Sequence, residues 1–165
     1  MNIRDWIDKE GLKQHLNAAN IHYFTLNGVM EFNNKALALS LAAAYDPLPT
    51  IRTRLKAQLV VDAQNYVEAA ILSKYPKFEI DTWQNQLSDA QAYLNDNLAT
   101  TITLDSLSNK RGKNKEELAN KIIEKYQLFS VFSGEQAGER QRIEDLIDSG
   151  ETAEELNAIP AFAGV

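Results

Sequence analysis

Apolar residues recur every three or four positions over most of the chain, which is the spacing of one face of an α-helix. The clearest stripe has an apolar residue at every fourth position from Ile51 to Tyr75, and Pro76 ends it. With Thr50 as its N-cap, this stripe predicts the longest helix of the chain. A shorter alanine- and leucine-rich helix precedes it and should stop at Asp46, because the residue before a proline avoids helical geometry.

Further helical stripes follow, separated by residues that start or stop helices. Residues 81–84 fit a capping box that would open a helix, and Gly112 is placed as a left-handed stop for a short one. Gly134 and Gly138 are poor helix formers, so we expect the next helix to end near Phe132 and a separate one to follow. The pattern predicts a mainly α protein, a helical bundle with one short N-terminal β-hairpin.

A soft boundary falls near residues 76–81, where the proline interrupts the helical pattern. It divides the chain into an N-terminal hairpin and long helix, residues 1–78, and a C-terminal helical part, residues 79–165. Because no linker-like stretch separates them, one continuous domain is the other interpretation. Residues 152–155 fit another capping box, and the segment after Pro160 is expected to be mobile.

The predicted hairpin has large apolar residues on both faces. Two β-prone runs flank Asn27-Gly28, a dipeptide that suits a tight type I′ turn, so that Tyr23 lies opposite Phe32. Tyr23, Met30 and Phe32 share one face, and their residue types are enriched at interface cores. We expect helices of this chain to cover the other face. The face with Tyr23, Met30 and Phe32 is covered either by a loop or the first helix of the same chain, or by another polypeptide, a second copy included.

Three basic residues lie at the predicted N-terminus of the long helix, where the helix dipole disfavours positive charge. Arg52, Arg54 and Lys56 fall in the first turns of the predicted long helix, where the macrodipole is positive. They either pair with acids elsewhere in the chain or face an acidic partner. Together with Tyr23, Met30 and Phe32 on the hairpin, they are the candidate partner-binding residues.

Charge and composition narrow the function classes. The 165 residues include 17 Lys and Arg against 23 Asp and Glu, for a net charge of −6, which disfavours nucleic-acid binding as the main activity. There is no cysteine, so disulfides and thiolate chemistry are excluded. The longest apolar stretch, residues 36–45, is about half a bilayer span. The charged start does not resemble a secretory signal, so we expect the protein to stay where it is made.

Catalytic and ligand-binding motifs are missing from the sequence. The two histidines, His15 and His22, are not in a metal-binding spacing. The glycines at 134 and 138 lack the Gly-Lys-Ser/Thr ending of a phosphate-binding loop, and there is no Gly-x-Ser-x-Gly nucleophile elbow. We therefore expect a protein without enzymatic activity that uses neither a metal nor a cofactor.

An ordered series of short motifs lies between residues 81 and 159. They are Trp83-Gln-Asn-Gln86, Asp89-Ala-Gln-Ala-Tyr-Leu94, Leu104-Asp-Ser-Leu107, Arg111-Gly112, Glu117-Leu-Ala-x-Lys-Ile122, Gly138-x-Arg140-Gln141-x-x-Glu144-Asp145 and Thr152-x-Glu-Glu-Leu156. Together they resemble a helical domain found in tail proteins of tailed bacteriophages and prophages, several of which are described as tail-fibre assembly or tail-associated proteins.

The resemblance implies a role in virion structure or assembly, and it brings no catalytic or cofactor residues. Its implied partner is a phage tail or tail-fibre polypeptide, bound as an assembly chaperone or as a minor structural component. The expected location is the host cytoplasm during assembly, and the virion if the protein stays in the particle. The alternative is a small phage-encoded adaptor or inhibitor that binds a host protein.

Overall fold

The structure, a computed structural model, describes residues 8–26 and 29–165, without the side chains of residues 24–30. Most of these residues are helical, which confirms the mainly α prediction. The elements in chain order are α1 (Lys9–Ala18), β1 (Tyr23–Leu26), β2 (Val29–Phe32), α2 (Lys35–Ala44), α3 (Leu48–Ala70), a 3₁₀ turn (Leu72–Lys74), α4 (Lys77–Ile80), α5 (Trp83–Asn95), α6 (Ile102–Arg111), α7 (Lys115–Ser149) and α8 (Ala153–Ala158).

The chain forms two compact units. Unit 1 consists of the described residues of Met1–Val60 together with Arg142–Ala161, and unit 2 consists of Val61–Gln141 and Phe162–Val165. The two longest helices, α3 and α7, therefore each supply residues to both units. The division predicted between residues 78 and 79 stays a prediction.

In unit 1 the hairpin and the first two helices share one apolar core. Strands β1 and β2 pair antiparallel with Tyr23 opposite Phe32, in the expected register, while the predicted Asn27-Gly28 turn lies outside the described residues. Asn33 closes the base of the hairpin, since its amide accepts from His22 N and donates to Asn20 O. The buried core residues here are Leu12, Leu16, Ile21, Ala38 and Ala42.

A buried polar network joins α1 to the start of α3. The Asp8 carboxylate caps α1 by accepting from Gly11 N at 3.1 Å, and its second oxygen accepts from the Tyr45 hydroxyl at 2.7 Å. The hydroxyl of Thr50, 3.1 Å away, donates to Tyr45. Burial, and secondarily the bond to Asp8, raises the pKa of Tyr45, so that Tyr45 stays a protonated donor at neutral pH. Thr50 thus lies inside the first turn of α3 and not at its N-cap, where sequence analysis had placed it.

In unit 2, α6 is held between α5 and the start of α7. The Asp89 carboxylate of α5 accepts from the backbone N–H groups of Thr103 and Leu104 at 2.7 and 3.2 Å, which satisfies the free N-terminus of α6. Gly112 ends α6 in the left-handed conformation, φ 60°, as predicted. The buried residues between these helices are Ala90, Leu104, Leu118 and Ala119.

Lys115, at the start of α7, makes two electrostatic contacts within unit 2. Its ammonium group lies 2.6 Å from the Asp105 carboxylate and 4.5 Å from the centre of the Tyr93 ring. The hydrogen bond from Lys115 lowers the pKa of Asp105. The contact therefore links α5, α6 and α7 at a single side chain.

The structure corrects the predicted helix boundaries in two places, around Gly134 and Gly138 and before Pro76. The longest helix is α7, with 35 residues, which runs unbroken through Gly134 and Gly138; α3 has 23 residues and ends at Ala70, before the 3₁₀ turn. A glycine inside a helix costs about 1 kcal/mol relative to alanine, too little to end a helix whose other residues are packed.

Of the capping boxes predicted at residues 81–84 and 152–155, the structure contains the second. Thr152 and Glu155 form the reciprocal box at α8. Asp81 does not cap α5: its carboxylate accepts from Lys77 Nζ, one turn earlier, and Thr82 stands at the N-cap without a side-chain cap. Both sites match the same local pattern, so only the surrounding structure distinguishes them.

The segment after Pro160 was expected to be mobile, and this was wrong. Phe162 is buried, with its ring 5.8 Å from that of Tyr66, and Val165 forms two hydrogen bonds with Gln136. Residues 162–165 therefore belong to the packed part of unit 2.

Gly11 and Gly134 make a matched pair of alanine substitutions. A Cβ at Gly11 would overlap the Asp8 carboxylate and the Tyr45 hydroxyl, whereas a Cβ at Gly134 would meet no atom within 4 Å. We expect Gly11→Ala to lower the free energy of unfolding by about 2 kcal/mol through overpacking. We expect Gly134→Ala to raise it by about 0.5 to 1 kcal/mol through helix propensity. Urea denaturation measures both, and a stable Gly11→Ala variant would contradict the tight contact.

Candidate functional site

The hairpin residues proposed as a partner surface are partly used by the fold. Tyr23 and Phe32 are half-buried, with ring centroids 6.4 Å apart and planes inclined by 55°. Phe32 packs against the core of unit 1, so that part of its face is covered by the chain itself. The side chain of Met30 lies outside the described residues. The ring contact of Tyr23 is with Phe32, within the hairpin.

The basic start of α3 is turned toward acids and a free carbonyl of unit 1. Lys56 Nζ lies 2.7 Å from Asp148 and 3.9 Å from Glu144, both on the last turns of α7. Arg52 Nη2 donates to the carbonyl oxygen of Gly150, directly after α7, at 2.7 Å. Of the two roles left open for these cations, pairing within the chain is the one that the structure shows for Lys56.

This arrangement explains why cations tolerate the N-terminus of α3. The last carbonyls of a helix carry partial negative charge, so the end of α7 stabilises Arg52, and the carboxylates of its last turns stabilise Lys56, against the unfavourable dipole of α3. Arg54 is exposed, and its guanidinium is 3.5 Å from the Asn157 side-chain oxygen. Arg54 therefore keeps the greatest freedom among the three to meet an external acid.

The motifs between residues 81 and 159 mainly supply internal contacts of the two units. Trp83 packs edge to face on Tyr75 and on Phe129, with centroids 5.2 Å apart in both pairs. The Tyr126 hydroxyl donates to the Gln84 side chain at 2.8 Å. These aromatic residues join the first turn of α5 to α7, with Trp83 as the anchor between the two helices.

Large apolar side chains stand exposed where α5 passes into α6. Leu98 is 88% exposed and Ile102 75%, and Leu94, in the last turn of α5, is also exposed. We call these three residues the α5–α6 corner. The backbone here is held in place: Asp96 accepts from Leu98 N at 2.9 Å, and Asp89 caps α6 directly after Ile102. The corner thus displays apolar surface on fixed backbone.

Sequence reasoning missed the α5–α6 corner. Leu98 and Ile102 belong to no helical stripe, since Leu98 follows the end of α5 and Ile102 is the first residue of α6. The position of an isolated apolar residue between two helices is ambiguous in the sequence, because apolar residues occur both in the core and at the surface. The available signal for an exposed site was the pair Leu98 and Ile102, four positions apart and next to the polar residues Asp96 and Thr101.

Among residues 8–26 and 29–165, no three His, Cys, Asp or Glu side chains are grouped so that they could hold a metal ion. The helices of this part of the chain also include none with the length and apolarity needed to cross a bilayer. Comparison with known protein families, with curated proteins and with solved structures finds no match.

Serine substitutions test how much each of the two half-buried rings on the hairpin contributes to the stability of the fold. We expect Phe32→Ser to lower the free energy of unfolding by about 1 to 3 kcal/mol, because the ring packs on the core of unit 1. Tyr23→Ser should cost less, about 1 kcal/mol, since the ring of Tyr23 contacts Phe32 and keeps part of its surface in water. Thermal and urea denaturation compare the two, and equal losses would show that both side chains belong to the core.

Proposed function

We propose that this protein is a non-enzymatic binding protein of a phage or prophage tail, which contacts a tail or tail-fibre polypeptide as an assembly chaperone or minor structural component. The motifs between residues 81 and 159 support the tail assignment through their resemblance. The observation that carries binding is the α5–α6 corner, which lies within the same stretch of sequence. The proposed partner surface is therefore on unit 2, and the hairpin stays the alternative.

The corner has the features of a contact surface. Fully burying a leucine or isoleucine side chain gains about 1.5 to 3 kcal/mol, and Leu98 and Ile102 have kept most of that surface in water. Their backbone is already ordered by Asp89 and Asp96, so little conformational entropy is lost when a partner covers them. Apolar residues on preorganised backbone are therefore suited to anchor an apolar groove or helix face of a partner.

Substitution of the corner tests the surface without disturbing the fold. We expect the double variant Leu98→Ser and Ile102→Ser to weaken capture of the tail partner about ten-fold or more, through loss of two apolar anchors. Its melting temperature should stay unchanged, because both side chains are exposed.

The matched control is the double variant Leu128→Ser and Val131→Ser on α7, whose residues are also largely exposed, at 66% and 61%. It should keep full binding. If both double variants lose binding equally, general loss of apolar surface explains the effect and the corner has no special role.

Photo-crosslinking from position 98 identifies the partner class. A photoreactive amino acid placed at Leu98 stays at the surface, and cross-linked polypeptides from phage-producing cells are identified by mass spectrometry. We expect a tail or tail-fibre subunit. A host protein as the specific product would contradict the tail assignment and favour the adaptor or inhibitor alternative.

A further inference from the structure

Residues Phe162–Val165, which we call the docked segment, pack against residues of α3 and α7 within unit 2. The segment has no regular secondary structure, and it is preceded by the exposed Pro160 and Ala161. Phe162 is buried, and its ring meets that of Tyr66 edge to face; Tyr66 in turn stacks on Phe132, with planes inclined by 18°. The aromatic pair thus forms the wall on which Phe162 is anchored.

Gln136 forms hydrogen bonds with both backbone groups of Val165, the N–H and the C=O. Gln136 Oε1 accepts from Val165 N at 3.2 Å, and Gln136 Nε2 donates to Val165 O at 3.3 Å. The glutamine is 3% exposed, so a buried carboxamide would lose its hydrogen bonds if nothing replaced the segment. A side chain that satisfies one residue's N–H and C=O reads an extended backbone and not a particular side chain.

Gly164 supplies the second element of specificity. It has φ +78°, and a Cβ at this position would overlap the ring of Tyr66. A side chain is thus excluded at this position both by backbone conformation and by space. The residues on either side, Ala163 and Val165, are exposed. The site therefore selects the pattern Phe-x-Gly-x, with Phe and Gly read by shape.

We propose that Tyr66, Phe132 and Gln136 form a peptide-recognition site for this pattern, which the chain's own docked segment fills in the isolated molecule and the same segment of a second copy fills when copies are concentrated. The segment of this chain is the occupant whose fit is seen in atomic contacts. Exchange of an identical segment uses the same contacts, so it requires only that the segment leave its site.

The covalent link explains why the isolated molecule keeps its own segment. A short tether gives an effective concentration of the order of millimolar, so a second copy competes only at comparable concentration. The segment has no regular secondary structure and its lead-in is exposed, so it opens at lower cost than the packed helices. Many copies arranged side by side in an assembly would provide such a concentration, and exchange would then link neighbouring copies.

The first test uses the full chain with Phe162→Ser and Gly164→Ala, which leaves the site intact and prevents the internal segment from docking. The probe is the labelled peptide IPAFAGV, the sequence of residues 159–165, and the control peptide has alanine in place of Gly164. We expect the variant to bind the probe about ten-fold tighter than the wild-type chain does, and about ten-fold tighter than it binds the control peptide. Absence of probe binding, or equal binding of both peptides, overturns the site.

The second test needs no substitution, so it holds even if the variant folds poorly. Sedimentation of the wild-type chain up to about 1 mM should show a dimer that grows with concentration. Excess IPAFAGV should dissociate this dimer, whereas the alanine control peptide should not. A chain that stays monomeric over the whole range, or a dimer insensitive to the peptide, overturns exchange between copies.

Discussion

The unbroken hydrogen-bond ladder of α7, from Lys115 to Ser149, is the constraint on which contacts in both units depend. Its first residue supplies the ammonium group that joins Asp105 and Tyr93, and its middle supplies Gln136 to the docked segment. Its last turns offer Asp148 to Lys56. Each of these side chains is presented by a turn of this helix, so a local loss of helical hydrogen bonds would remove the contacts of the unit concerned.

That continuity also shows where local sequence rules succeed and fail. Gly112 was predicted correctly as a helix stop because its effect is local: a left-handed residue leaves the α6 carbonyls to be closed by the next N–H groups. Gly134 and Gly138 carry the same residue type but sit in a helix whose apolar residues are packed on both sides of them. A cost of about 1 kcal/mol per glycine is then outweighed, and propensity alone gives the wrong boundary.

Prediction of the candidate site was likewise limited, because its contacts join residues that are far apart in the sequence. The conflict of Lys56 with the α3 dipole was visible in the sequence, but its partner Asp148 is 92 positions away and no local pattern identifies it. The segment after Pro160 was predicted to be mobile because terminal segments usually are. Its contact residue Tyr66 lies far from it in the sequence, so no local pattern indicated the packing. The hairpin register needed only residues 21–32, and it was predicted correctly.

Two apolar features of unit 2, Phe162 of the docked segment and the α5–α6 corner, differ in burial, and this difference distinguishes their proposed roles. Phe162 is already buried against Tyr66, so a second segment can bind there only by displacing the first, which makes that site dependent on copy concentration. Leu98 and Ile102 are covered by little of the chain, so a partner gains their burial without displacing anything. Contact through the α5–α6 corner can therefore form at low concentration, and exchange of the docked segment follows only after copies have been brought together.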